Sequence, residues 1–184
     1  MDKPSSYCAY VATLPEGNVH RIYHDTQYGF PIHSDDELFG RLILEINQAG
    51  LSWSTILNKQ DNFRTAFSDF SIQQIAQYGQ DDIDRLLSDP GIIRNRLKID
   101  AVIHNAGRVI ELQHEFGSFK HWLDTQHPLS KEQWVKLFKK IFKFTGGEIT
   151  NEFLMSSGYL KGAHIESCGV LPQILDCAPP WTQV

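Results

Sequence analysis

Apolar residues in this chain recur at three- and four-residue spacing along most of its length, and no segment alternates convincingly as a half-buried strand would. A chain patterned in this way buries its apolar surface by packing helices on helices, so the predicted fold is all-α. The longest periodic run extends from about Asn95 to Phe116 and carries Leu97, Ile99, Val102, Ile103, Ala106, Val109 and Ile110. Shorter runs have recognisable bounds. Ser52 and Ser71 stand where N-caps belong, Gly79 stops one helix, and Gly158 stops the last. Further helices are predicted at about 118–125 and 130–141.

One segment carries a conflict. Ser34 and Glu37 have capping-box spacing and open a helix with Asp35 and Asp36 in its first turn. Leu38, Leu42, Ile46 and Ala49 then form a core-facing stripe, and Glu45 falls on or beside it. An isolated buried carboxylate is costly and is usually paired or put to use, so Glu45 is a candidate functional group.

With 184 residues the chain is long enough for one compact domain with a substantial core, or for two closely joined lobes. A hydrophobic content of 41% with 21% charged residues indicates a globular rather than a disordered protein. No apolar run approaches the ~20 residues of a membrane span. The start "MDKPSSYCAYVAT" lacks the basic and apolar regions of a signal peptide, so a cytoplasmic protein without membrane contact is expected. The net charge of −5 argues weakly against nucleic acid, but the charge is uneven. Arg85, Arg94, Arg96, Lys98 and Arg108 face only Asp89 and Asp100, while Lys131, Lys136, Lys139, Lys140 and Lys143 face only Glu132. Such clusters serve phosphate contact, and equally they serve as solvated helix faces.

The three cysteines are an odd number, which disfavours a disulfide framework in a reducing compartment. His164 and Cys168 stand four residues apart in "AHIESC", and Cys8 precedes His24 by sixteen. Together they make a Cys2His2 set of the ligand mix that suits tetrahedral zinc. Unrelated core cysteines and surface histidines would give the same spacing. Cys177 is left over.

The unit "DDIDRLLSDPGIIRNRLKIDAVIHNAG" reads as two helices joined by a tight turn, where Pro90 presets its backbone angle and Gly91 permits a positive one. This suits a helix-hairpin-helix, whose backbone N–H groups near a helix N-terminus face a phosphate oxygen. An ordinary helical corner is the competing reading.

Taken together, "YHDTQYGFP", "EINQAGLSW", "DPGIIRNRLKIDAVIHNA", "FKFTGG" and "GYLKGAHIESC" resemble the bacterial 3-methyladenine DNA glycosylase I family, in the same order and from Cys8 to Cys168. The resemblance implies a single DNA glycosylase domain over residues 1–184, with the hairpin at about 81–116. It implies one structural zinc, held by Cys8, His24, His164 and Cys168, that joins 8–24 to 164–168 and so ties the two termini together. Glu45 falls on the family's pocket carboxylate, taken here as the catalytic group. Tyr10, Tyr23 and Trp53 fall on aromatic pocket positions, with Tyr10 where tryptophan is usual. Gln48 and Leu51 match residues that fill the gap left by an extruded nucleotide. Gly91, Ile93, Arg94 and Lys98 match the DNA-contacting hairpin. Neither Lys98 nor Asp100 matches a catalytic position, which implies a monofunctional enzyme without strand cleavage.

The activity so implied is release of 3-methyladenine from double-stranded DNA carrying alkylated bases, by a monomer. A cationic base between aromatic faces gains from stacking and cation–π attraction, and a carboxylate complements its charge. The sequence departs from the family at Tyr28, Ile46 and Asn47, and at Glu152, where serine is usual. The segment between the long helix and "FKF" is also shorter than usual. Glu152 is therefore a further candidate pocket residue. The changes at Ile46, Asn47 and Glu152 support the alternative of a non-catalytic or altered-specificity protein that binds alkyl lesions. A zinc-stapled interaction domain without a nucleic acid role is a third reading.

Overall fold

The segment opened by Ser34 is the axis of the fold. In a computed structural model, which describes residues 4–183, the helices in chain order are α1 (Tyr7–Ala12), α2 (Val19–Thr26), α3 (Asp35–Gln48) and α4 (Trp53–Leu57). Next come α5 (Gln60–Ala66), α6 (Ile72–Ile75), α7 (Gln80–Ser88) and α8 (Arg96–Phe116). The last four are α9 (Phe119–Gln126), α10 (Lys131–Ile141), α11 (Gly147–Ser156) and α12 (Leu171–Asp176). Among the described residues there is no strand, and no helix is long and apolar enough to cross a membrane.

The structure corrects the single stripe expected along α3. Every residue from Leu38 to Asn47 is buried. The reason lies in Phe39, Ile43 and Leu44, which fill the angles between the predicted apolar positions and make the helix apolar nearly all round. Helices α4, α5, α6, α8, α9 and α11 pack around it. At Gly40 the approach is closest, since a Cβ there would lie 2.3 Å from the ring of Phe70, which is itself buried. Gly40→Ala is expected to cost about 1–3 kcal/mol through overpacking, seen as a melt lowered by roughly 2–10 °C. A variant melting with the wild type would contradict this packing.

The acidic first turn of α3 does more than complement its own dipole. Asp35 accepts from the backbone N–H groups of Phe119 at 2.7 Å and Lys120 at 2.9 Å, and so caps α9. Asp36 accepts from the N–H of Ile72 at 3.0 Å and caps α6. Ser34 accepts from the N–H of Glu37 as expected, but Glu37 turns its carboxylate to Arg64 instead of completing the capping box. Ser52 and Ser71 cap α4 and α6 as read from the sequence, and Asn95 caps α8. Helices α1, α2 and α12 are not among those read from the sequence.

The predicted hairpin forms from α7 and α8, with two differences. Gly91 does not adopt a positive φ; a Cβ there would instead meet Asp89 Oδ1 at 2.9 Å and Asn62 at 3.2 Å. Its N–H donates to Asp89 Oδ1 at 2.7 Å, so closeness rather than handedness requires the glycine. Leu97, read as part of the apolar stripe of α8, is 69% exposed.

Candidate functional site

A cavity of about 450 Å³ is lined by Tyr7, Tyr23, Tyr28, Glu45, Gln48, Trp53, Glu148 and Glu152. Its aromatic wall is a small cluster apart from the main core. The Tyr23 and Trp53 rings meet edge to face at 5.2 Å, and Tyr28 lies 5.5 Å from both Tyr23 and Tyr7. Tyr7 of α1, Tyr23 of α2, Tyr28 just after α2 and Trp53 at the start of α4 thus supply the aromatic faces, while α3 supplies the carboxylate and α11 closes the far side.

Glu45 is 3% exposed, yet no described residue donates a hydrogen bond to its carboxylate. Burial pushes its carboxyl up to about 8, with Arg41 pulling down and Glu152 pushing up. Arg41, one turn earlier on α3, is also buried; it donates to the Tyr23 hydroxyl at 3.1 Å and to the Ser156 carbonyl at 3.3 Å. Its guanidinium lies 5.0 Å from the centre of the Tyr23 ring, which braces that wall from behind. Tyr28 donates to Glu152 at 3.1 Å, and burial raises the Glu152 carboxyl while this bond opposes the rise.

Several sequence candidates come together here and one does not. Tyr23, Glu45, Gln48, Trp53 and Glu152 all line the cavity. Tyr10 does not; it stacks behind Tyr7 at 6.3 Å and meets His20 edge-on at 5.4 Å, while Tyr7 takes the wall position. Tyr7 is three residues before Tyr10, hence on the same helix face, and that spacing was the available signal. Arg41 was also missed, although it lies four residues before Glu45. Ile46 and Asn47, two of the departures from the family pattern, point into the core, with Asn47 bonded to the Ile43 carbonyl at 2.9 Å.

Beyond the cavity, Leu51 is 40% exposed, and Gln48 donates to its carbonyl at 3.2 Å. Arg94 is exposed and Ile93 half-buried on the hairpin. Lys98 corrects the expectation of a phosphate contact. It is 5% exposed, and its ammonium donates to the carbonyls of Asn47 at 2.8 Å and Ala49 at 2.7 Å. The end of α3 leaves carbonyls without intrahelical partners, and a cation satisfies them.

Cys8, His24, His164 and Cys168 form one cluster whose ligand atoms all lie within 4.8 Å of one another. His164 Nδ1 is 3.2 Å from the Cys168 sulfur and 3.8 Å from that of Cys8, and His24 Nε2 is 3.7 Å from Cys168. The opposite ring nitrogens are held from outside, His24 by Asp25 at 2.7 Å and His164 by the Tyr28 carbonyl at 2.7 Å. Such outer bonds fix the ring orientation that a metal ligand needs. The cluster can hold a metal ion. Cys177 stays exposed and outside it.

Residues 15–133 match the family model described as methyladenine glycosylase. The chain belongs to the methyladenine glycosylase family. Among curated relatives, this methyladenine glycosylase family member is 32% identical to DNA-3-methyladenine glycosylase 1 of Escherichia coli (strain K12), over 90% of this chain and 96% of that one. It is 30% identical to the DNA-3-methyladenine glycosylase of Haemophilus influenzae, over 83% and 92% respectively. Among solved structures, the 3-methyladenine DNA glycosylase I of Staphylococcus aureus superimposes with a TM-score of 0.76 at 31% identity, covering 85% of this chain and 93% of that one. That structure is described as the basis of 3-methyladenine recognition.

Proposed function

We propose that this member of the methyladenine glycosylase family releases 3-methyladenine from alkylated double-stranded DNA by hydrolysis of the glycosidic bond. One observation carries the reading: Glu45 is buried, has no donor among the described residues, and faces a cavity walled by tyrosines and a tryptophan. A carboxylate left without partners in the protein is suited to receive them from a ligand. A flat cationic purine supplies N–H donors and a positive charge, and the rings of Tyr23, Trp53, Tyr7 and Tyr28 supply π-faces. Neutral adenine lacks the charge, so Glu45 discriminates by electrostatics.

Alkylation at N3 already makes the base a good leaving group, so the protein's work is extrusion, stabilisation of an oxocarbenium-like sugar and admission of water. Gln48 and Leu51 serve as the wedge, and Gly91, Ile93 and Arg94 of the hairpin hold phosphate. Glu152 adds negative charge to the pocket and holds the Tyr28 hydroxyl. A monofunctional reaction is supported by Lys98 and Asp100: the amine is tied to two carbonyls, and Asp100 pairs with Arg96 at 3.7 Å. The ion that the Cys2His2 cluster suits is zinc; with four protein ligands it would serve structure rather than catalysis.

The alternative, a lesion binder that no longer cleaves, loses the support of Ile46 and Asn47, which do not reach the cavity, and rests on Glu152, which does. The test is free-base release from methylated duplex DNA. Release of 3-methyladenine is the expected result, and a gel shift without release would replace the enzyme with the binder. Leu51→Ala in the same assay is expected to leave affinity for plain duplex unchanged within about twofold and to slow release about tenfold, because only the base-extrusion step needs the wedge. Wild-type release by that variant would remove Leu51 from the wedge.

A further inference from the structure

We propose that Lys98 is a positioning residue that holds the extrusion wedge in register with the phosphate-gripping hairpin, an inference that rests on the glycosylase reading above. Lys98 lies in the first turn of α8, immediately after the turn of the hairpin, where the dipole of its own helix disfavours a cation. Its local setting therefore does not explain it. Its side chain instead crosses to the carbonyl end of α3, where a cation is favoured, and donates to Asn47 and Ala49, the two residues flanking Gln48.

The turn after α3 is otherwise loosely held. Ala49 leaves the helix with φ −50° and ψ 118°, and Gly50 takes a φ of +80°. The hydrogen bonds of the next residues are local: Leu51 N–H to the Gln48 carbonyl at 2.7 Å, Gln48 back to the Leu51 carbonyl, and Ser52 to Thr55. Among the described residues, the Lys98 bonds are the only ones that reach this turn from another part of the fold. Asn47 is two residues beyond Glu45, so the same ammonium also fixes the end of the helix that carries the pocket carboxylate. A protein that grips phosphate at one point and pushes a side chain into the stack at another needs the two points at a fixed separation. Lys98 is the direct link between them.

Lys98→Met keeps the length of the side chain and removes the charge and the donors. Plain-duplex affinity is expected to stay within about twofold, because Lys98 is buried and the hairpin residues assigned to phosphate, Gly91, Ile93 and Arg94, are untouched. Extrusion, read as 2-aminopurine fluorescence beside the lesion, and single-turnover base release are expected to fall together by about tenfold. Binding of free 3-methyladenine, read from Trp53 quenching, should not move. Lys98→Arg should recover part of the extrusion signal. Adding Lys98→Met to Leu51→Ala should cost little beyond Leu51→Ala alone, since both act through one wedge.

Lys98→Gln, which retains a donor, is measured beside it in case the methionine variant does not fold. Wild-type extrusion in either folded variant would overturn the proposal. So would full additivity with Leu51→Ala, or a loss of plain-duplex affinity equal to the loss of release. A wild-type chain that extrudes but releases no base would overturn the enzyme reading instead, and the 2-aminopurine signal would still decide the role of Lys98.

Discussion

Glu45→Gln is expected to lower release of 3-methyladenine by about 100- to 1000-fold while leaving the fold and the affinity for plain duplex intact. The substitution removes charge at constant volume, and loss of one preorganised electrostatic partner in a dry site typically has an effect of that size. A pH dependence accompanies it. Burial holds the Glu45 carboxyl up to about 8, so in the empty cavity it is protonated at neutral pH. A cationic base favours the ionised form, hence release by the wild type should rise with pH toward about 8, and the glutamine variant should lack that limb.

Stability runs the other way. Between 4.5, the ordinary value, and about 8 the folded chain holds a proton that the unfolded chain has lost. Unfolding then releases a proton, so this contribution is fully present below 4.5 and is lost as pH rises through about 8. The wild-type melt should therefore decline relative to that of Glu45→Gln across this window. Unchanged release by a well-folded glutamine variant would remove Glu45 from the pocket chemistry. Parallel melts from pH 5 to 8 would contradict its buried, protonated state.

Loss of an ion held by the Cys2His2 cluster, the zinc proposed above, is expected to have the largest effect on stability. Cys8 and His164 are 156 positions apart, so an ion bound by the cluster closes a very long loop. Closing such a loop restricts the unfolded chain by about 5 kcal/mol, which corresponds to roughly 10–20 °C in the melt of a domain this size. Binding requires thiolates and neutral imidazoles, so chelators and acid should act in the same direction. One zinc per chain by elemental analysis is the expected result. Metal-free protein whose Cys168→Ala variant melts with the wild type would contradict it.

Much of this was legible in the sequence because the signals were local. Ser34, Ser52 and Ser71 cap the helices that their spacing announces, since a cap is decided by neighbours one turn away. The Cys2His2 set was legible as chemistry, although only the fold brings residues 8 and 168 together. What the sequence concealed depends on distant partners. Asp36 looks like a helix-dipole residue until Ile72 is seen to donate to it. Lys98 looks like one cation in a basic run until the end of α3 is placed beside it. Tyr10 and Tyr7 share a face, and the resemblance favoured the wrong one for the cavity wall because packing, not spacing, decides which ring is in front.

The cluster at Cys8 and Cys168 also changes how the molecule would carry load. With an ion in place, tension applied outside these residues passes through the metal–sulfur bonds and bypasses the helices between them. Residues beyond Cys168 would peel first, including the Trp181 N–H bonded to the Gly158 carbonyl at 3.1 Å, and the rest would extend only after the clasp breaks. A single-molecule pulling trace should therefore show a short early extension and then one long step, and chelation should erase the threshold between them.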